Sequence, residues 1–142
     1  MDDDSSHLPK RTLTETLFVA FVRVVAITCL WFGLQYWAML VGYSAGGQAR
    51  FDLLVLPWQI AGASLAVLFP VAALGLWLAG SWGPVIWALA AGTQVLMYGV
   101  WTDVYGTNRL VLAMHIVVAL VYVIFRVAIW LETRSRPELN KI

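Results

Sequence analysis

Residues Leu110–Leu131 read LVLAMHIVVALVYVIFRVAIWL, apolar from end to end except for His115, Tyr122 and Arg126. At about 22 residues and roughly 1.5 Å of rise per residue, a helix over this run is as long as the ~30 Å hydrocarbon core of a bilayer is thick. Segments of the same kind recur upstream, three of them before this one. The expected solvent is therefore lipid, and the expected fold class is all-α: an integral membrane four-helix transmembrane bundle.

Composition points the same way. Of 142 residues, 61% are hydrophobic and only 12% charged, with a mean hydropathy of +0.80, well outside the range of soluble domains. The eight tryptophans suit a chain that crosses the membrane–water interface repeatedly. A net charge of +1, with the cations scattered over both ends, assembles no basic face and argues against a nucleic-acid partner. The single cysteine, Cys29, lies inside the first apolar run and reads as a small packing residue.

Residues 1–11 (MDDDSSHLPKR) are polar and aperiodic and read as a disordered cytoplasmic tail. Thr12 and Glu15 have capping-box spacing, which predicts a first helix over about residues 13–41. Such a helix is longer than the hydrocarbon core, which places its first turns, and Arg23, at phosphate level. Gly47–Ala49 (GQA) loosely matches a signal-peptidase site. The run Val24–Val41 exceeds a signal core, however, and the region before it carries four acids, so retention of helix 1 is expected. Helix 2 is predicted over 53–80, with regular helix starting near Pro57 and a kink at Pro70. Ser81–Pro84 (SWGP) allows only a tight hairpin. The small pairs Gly75/Ala79 and Ala88/Gly92 flanking it predict close backbone approach. Helix 3 follows over 85–100, a loop over 102–109, helix 4 over 110–131 and a basic cytoplasmic tail over 132–142.

With four spans, both termini and the second loop share a side. Lys10, Arg11, Arg23, Arg126, Arg134, Arg136 and Lys141 lie on or near it, against Arg50 and Arg109 opposite. The positive-inside rule then gives N-in and C-in. Trp77, Trp82, Trp87 and Trp130 fall near the inner interface, Trp37, Trp58 and Trp101 near the outer one, and Trp31 at mid-depth.

Four polar side chains, Gln35, Gln59, Gln94 and His115, fall at one depth, roughly 8–9 Å below the outer interface at 1.5 Å per residue. One reading is an outward polar pocket walled by Tyr98 and Trp101. The other, favoured on energetic grounds, is a set of interhelical hydrogen bonds worth on average ~0.6 kcal/mol each. His115, Tyr122 and Arg126 also share one helical face. They form either a polar track or, as favoured, an arginine reaching the inner phosphates with a tyrosine beside it. Arg23, Arg126, Arg134 and Arg136 are the candidate inner-interface lipid or anion contacts, with Glu15 or Glu132 as available ion-pair partners for Arg23 or Arg126.

The remaining chemistry is excluded by absence. The only other histidine is His7, so one chain cannot supply bis-histidine haem ligation, although a symmetric dimer could. No carboxylate lies in the apolar core to couple proton or cation movement. No metal-ligand spacing, glycine-rich phosphate loop or nucleophile–base pair is present, and no catalytic residue, metal site or cofactor is expected.

The run from RTLTETLFVAFVRVVAITCLWFGLQYW to PVAALGLWLAGSWGPVIWALA, with MYGVW and the arginine-bearing last helix, resembles an uncharacterised family of small four-helix inner-membrane proteins of alphaproteobacteria. That resemblance covers most of residues 10–133 and implies no catalytic residues. A looser similarity, in size, topology and the early Arg23, is to DoxX-like four-helix membrane proteins, some of which are tied to quinone-linked sulfur oxidation. The expected function is a non-catalytic accessory subunit or a small-molecule- or lipid-binding membrane module. The alternative is a quinone- or redox-associated component. The lipid bilayer is the expected partner, with a larger membrane complex or a homo-oligomer around it.

Overall fold

The computed structural model describes residues 11–43 and 51–139, with side chains of the last helix described to Ser135. The tail to residue 10, the GQA stretch, Arg50, Lys141 and the side chain of Arg136 lie outside the described residues. The chain forms α1 (Leu13–Leu40), a 3-10 turn (Phe51–Leu53), α2 (Leu56–Trp77), α3 (Gly83–Val95) continued by a π turn (Leu96–Val100), the short α4 (Thr102–Tyr105) and α5 (Arg109–Leu139). Four helical spans are long and apolar enough to cross a membrane, which marks the chain by composition as a membrane protein. Of these spans α2 is the most buried and α5 the least.

Local chemistry sets the helix ends. At the start of α1 the Thr12 hydroxyl accepts from Glu15 N–H at 3.2 Å while the Glu15 carboxylate accepts from Thr12 N–H at 3.1 Å, a complete capping box. The end of α1 turns through Gly42 at φ 75°, with Tyr43 N–H reaching Ala38 C=O at 2.8 Å. α2 ends by the same motif three residues before the predicted limit. Ala79 takes φ 53°, and Gly80 N–H closes onto Gly75 C=O at 2.9 Å. Its start is Leu56 because Pro57 fits the first turn, where no N–H is needed. α5 continues past Leu131 through the segment expected to be tail. The Glu132 carboxylate there accepts from Thr14 Oγ1 of α1 at 2.6 Å, and the Ser135 hydroxyl donates back to Leu131 C=O at 3.0 Å. Loss of apolarity ends a membrane span; it does not end a helix.

α1 and α2 form the tightest pair. Buried positions on α1 run Val22, Val25, Ala26, Cys29, Gly33 and Tyr36, a single stripe at three- and four-residue spacing. That stripe meets the small-residue surface of α2, where Ala61, Gly62, Ala66, Ala72 and Ala73 are buried. Cys29 sits in this seam as a packing residue. Pro70 explains two further details. Its missing N–H leaves the Ala66 carbonyl, four residues earlier, without a helical donor. The Trp37 indole N–H from α1 donates to that carbonyl at 2.9 Å. The proline ring itself rests on Gly33, where an added Cβ would stand 2.8 Å from Pro70 Cδ.

The α2–α3 hairpin also closes on glycine, though at a different pair from the one expected. A Cβ on Gly83 would lie 2.5 Å from the Gly75 carbonyl carbon and 2.6 Å from Leu76 N. Ala79 and Ala88 are exposed, and a Cβ on Gly92 would meet nothing within 4 Å. The helices are closest at the turn itself, so the first glycine of α3 takes the crossing. α4 is clasped to the start of α2: Trp58 Nε1 donates to Val104 C=O at 3.1 Å and Tyr105 Oη donates to Pro57 C=O at 2.9 Å.

Two outcomes follow. Trp37→Phe strands the Ala66 carbonyl and should cost about 1–3 kcal/mol. In a Pro70→Ala background, where a helical N–H returns, the cost should fall by at least about 1 kcal/mol. A double-mutant cycle by denaturation in mixed micelles measures this, and equal costs in both backgrounds would refute the Trp37–Ala66 account. In the same assay Gly83→Ala should lose about 1–3 kcal/mol by overpacking against backbone. Gly92→Ala should be neutral or slightly stabilising.

Candidate functional site

Three buried polar side chains from three helices join in one line. Gln94 of α3 is 1% exposed, His115 of α5 5% and Tyr36 of α1 7%. Gln94 Nε2 donates to Tyr36 Oη at 2.8 Å, and Gln94 Oε1 lies 2.6 Å from His115 Nε2. Tyr98, in the π turn, neighbours the Tyr36 hydroxyl. The π turn is defined by Trp101 N–H bonding to Leu96 C=O at 3.0 Å. It adds a residue to the helical turn directly after Gln94, a distortion often found beside functional side chains.

Rings enclose the line. Phe32 and Tyr36 stack on Phe69 with centroids 5.3 and 6.0 Å apart. Phe32 and Trp87 flank the His115 imidazole at 6.3 and 6.1 Å. Against this imidazole lies a partly open cavity of about 120 Å³ between α1 and α5, whose lining includes Val25, Cys29, Phe32, Trp87 and Val118. His115 Nδ1 is buried and has no hydrogen-bond partner.

The remaining candidates are dispersed. Gln35 is exposed, one residue from Tyr36 but on another face of α1. Gln59 is half-buried and its amide donates to Phe51 C=O at 3.1 Å and Leu54 C=O at 3.0 Å, holding the 3-10 turn. Trp101 is exposed, on a separate groove with Tyr105. Of the four groups at one depth, Gln94 and His115 meet. Tyr36, which sequence reasoning missed, completes the line.

At the other end, where α1 begins and α5 ends, the Arg23 guanidinium stands 5.5 Å from the Trp77 ring centroid and that of Arg134 3.8 Å from Trp130. Arg126 is exposed and borders a cavity of about 140 Å³ with Tyr122 and Ser81. Glu15 caps α1 and Glu132 accepts from Thr14; among the described residues neither forms an ion pair. Tyr122 packs on Phe18 at 5.8 Å, and no described hydrogen bond connects it to His115.

The family model described as a family of unknown function, DUF6163, matches residues 16–133. The chain belongs to this family. No curated protein and no solved structure matches it. The matched stretch contains all of Tyr36, Gln94, Tyr98 and His115, so the polar line lies within the DUF6163 region.

Gln94→Leu removes both bonds of the line and should cost about 1–3 kcal/mol, because it leaves buried groups unpaired on both sides. Tyr36→Phe breaks one bond and should cost nearer ~0.6 kcal/mol, the average for a hydrogen bond inside a membrane protein. Denaturation of the two variants side by side checks the order, and equal losses would mean that the His115 bond contributes nothing.

Proposed function

We propose that this DUF6163 protein is a non-catalytic, multi-pass module of the bacterial inner membrane that holds a small, mostly apolar molecule beside His115. The observation that carries the reading is a mostly apolar cavity lined by the His115 ring together with Cys29, Phe32, Trp87 and Val118. The volume is of the same order as an apolar cavity of roughly 150 Å³ that holds benzene: about 120 Å³, and open on one side.

Lipid is the surrounding partner in this reading, with N-in and C-in topology. Arg23, Arg126, Arg134 and Arg136 then meet inner-leaflet phosphates, an arrangement that the tryptophan faces under Arg23 and Arg134 support. The sparsely covered α5 offers its outer side to lipid or to a larger assembly. The redox alternative draws on the same cavity, with a quinone-type ring as its occupant.

The test is extraction in mild detergent and native mass spectrometry. The wild-type chain should carry a non-protein adduct. Val118→Trp, which fills the cavity from α5, should lose it while keeping its elution volume. A wild-type protein that is consistently empty would overturn the proposal, and a quinone in the extract would favour the redox alternative.

A further inference from the structure

We propose that the cavity of about 140 Å³ at the α2–α3 turn binds one phosphate group of a net anionic compound, held by the Arg126 guanidinium with the Tyr122 and Ser81 hydroxyls. This inference rests on the reading of lipid as the surrounding partner. It turns one of the four arginines into a built site with a headgroup preference.

The walls come from three parts of the fold: Phe18 and Val22 of α1, Ser81 between α2 and α3, and Tyr122 and Arg126 of α5. Tyr122 and Arg126 are four residues apart and share a face of α5. No carboxylate is on this lining. The acids at this end of the bundle are committed elsewhere, Glu15 to the α1 cap and Glu132 to Thr14. Among the described residues no hydrogen bond or ion pair engages the Arg126 guanidinium, and no hydrogen bond uses the Tyr122 or Ser81 hydroxyl. Arg23 and Arg134 differ in lying on the faces of Trp77 and Trp130. The cavity thus offers donors and one positive charge, with nothing negative to neutralise it.

The donor set favours phosphate. A carboxylate meets a guanidinium edge-on with both of its oxygens, which leaves none for a hydroxyl on another element. A tetrahedral phosphate has oxygens to spare for Ser81. The volume is well above the ~10–15 Å³ that one water needs. A phosphoethanolamine head would bring an ammonium to a lining without a carboxylate, so the fitting headgroup lacks a cation. A second groove, which includes Val123, Val127 and Trp130 of α5, meets the first at Tyr122 and Arg126. That apolar track accommodates an acyl chain and favours a lipid source over a free phosphate.

The full chain in detergent micelles is titrated with phosphatidylglycerol and with phosphatidylethanolamine of the same acyl chains, and bound lipid is counted by native mass spectrometry. One phosphatidylglycerol per chain should bind about tenfold more tightly than phosphatidylethanolamine, the scale of one hydrogen bond to a charged group. Arg126 is exposed, so Arg126→Gln should keep the wild-type elution volume and abolish the preference. Ser81→Ala should reduce it severalfold, while Arg23→Gln and Arg134→Gln leave it unchanged. Inorganic phosphate should compete only weakly, having no chain for the α5 groove. Strong competition by inorganic phosphate that Arg126→Gln removes would uphold the phosphate site and make a free phosphate its occupant. Equal binding of both lipids by the wild type, persistence of the preference in Arg126→Gln and Ser81→Ala, or its equal loss in Arg23→Gln would each overturn the site and leave the arginine–phosphate contacts of the inner leaflet standing. If no arginine variant alters the retention of either lipid, those contacts fail, and the site with them.

Discussion

A proline in the middle of an apolar helix leaves one carbonyl without its hydrogen, and in lipid no water can supply another. In this protein the proline is Pro70, the carbonyl is Ala66 and the donor is the Trp37 indole. That hydrogen bond, together with the buried seam along both helices, sets α1 against α2 in rotation and in height. Gly33, one turn before Trp37, completes the seat by admitting the Pro70 ring. The lock also reaches the polar line, because Tyr36 precedes Trp37 and Phe69 precedes Pro70. Once Trp37 and Pro70 are set, Tyr36 stacks on Phe69 and presents its hydroxyl to Gln94. A backbone repair between two helices thus positions the first member of a hydrogen-bonded line through three.

The line in turn decides how the last helix attaches. α5 buries little of its length, and its apolar outer side gives no preference for one rotation over another in lipid. Directional contacts must do that work. His115 supplies one, through Gln94; Thr14 with Glu132, and Phe18 with Tyr122, supply the others. Hydroxyls elsewhere on the spans are neutralised locally: Thr28, Ser64 and Thr93 each donate to the carbonyl four residues back. They consume their polarity within their own helix, whereas Gln94 spends its polarity between helices.

Much of the fold was legible in the chain because the relevant physics is one-dimensional. Span length, the Thr12–Glu15 box and the tight SWGP turn depend only on residue order. The candidate site was legible in height alone. Depth counting put Gln35, Gln59, Gln94 and His115 at one level, but rotation about each helix axis separates Gln35 from Tyr36, and that angle is set by tertiary contact. Gln59 went to the 3-10 turn, where the carbonyls of Phe51 and Leu54 accept its amide hydrogens from within eight residues of chain. Tyr36 escaped notice because the depth count followed amide and imidazole side chains and passed over the hydroxyl next to Gln35. The orphan carbonyl at Ala66 could have been read from Pro70 by counting back four; its donor, 29 residues away on another helix, could not. The glycine contact moved from the Ala88/Gly92 pair to Gly83 for a related reason: composition names small residues without saying which face the turn will present.

The positions of the α5 attachments bear on how the cavity is reached. At one end α5 is pinned by His115 to Gln94, and at the other by its ring contacts to Phe18 and Phe21 and by Glu132 to Thr14. The cavity lies between these fastenings, bounded on α5 by Met114, His115 and Val118 and on α1 by residues from Phe21 to Phe32. Its rim includes Val24, which is exposed, so the opening faces outward between α1 and α5. The approach is thus apolar at the rim and ends against the His115 ring.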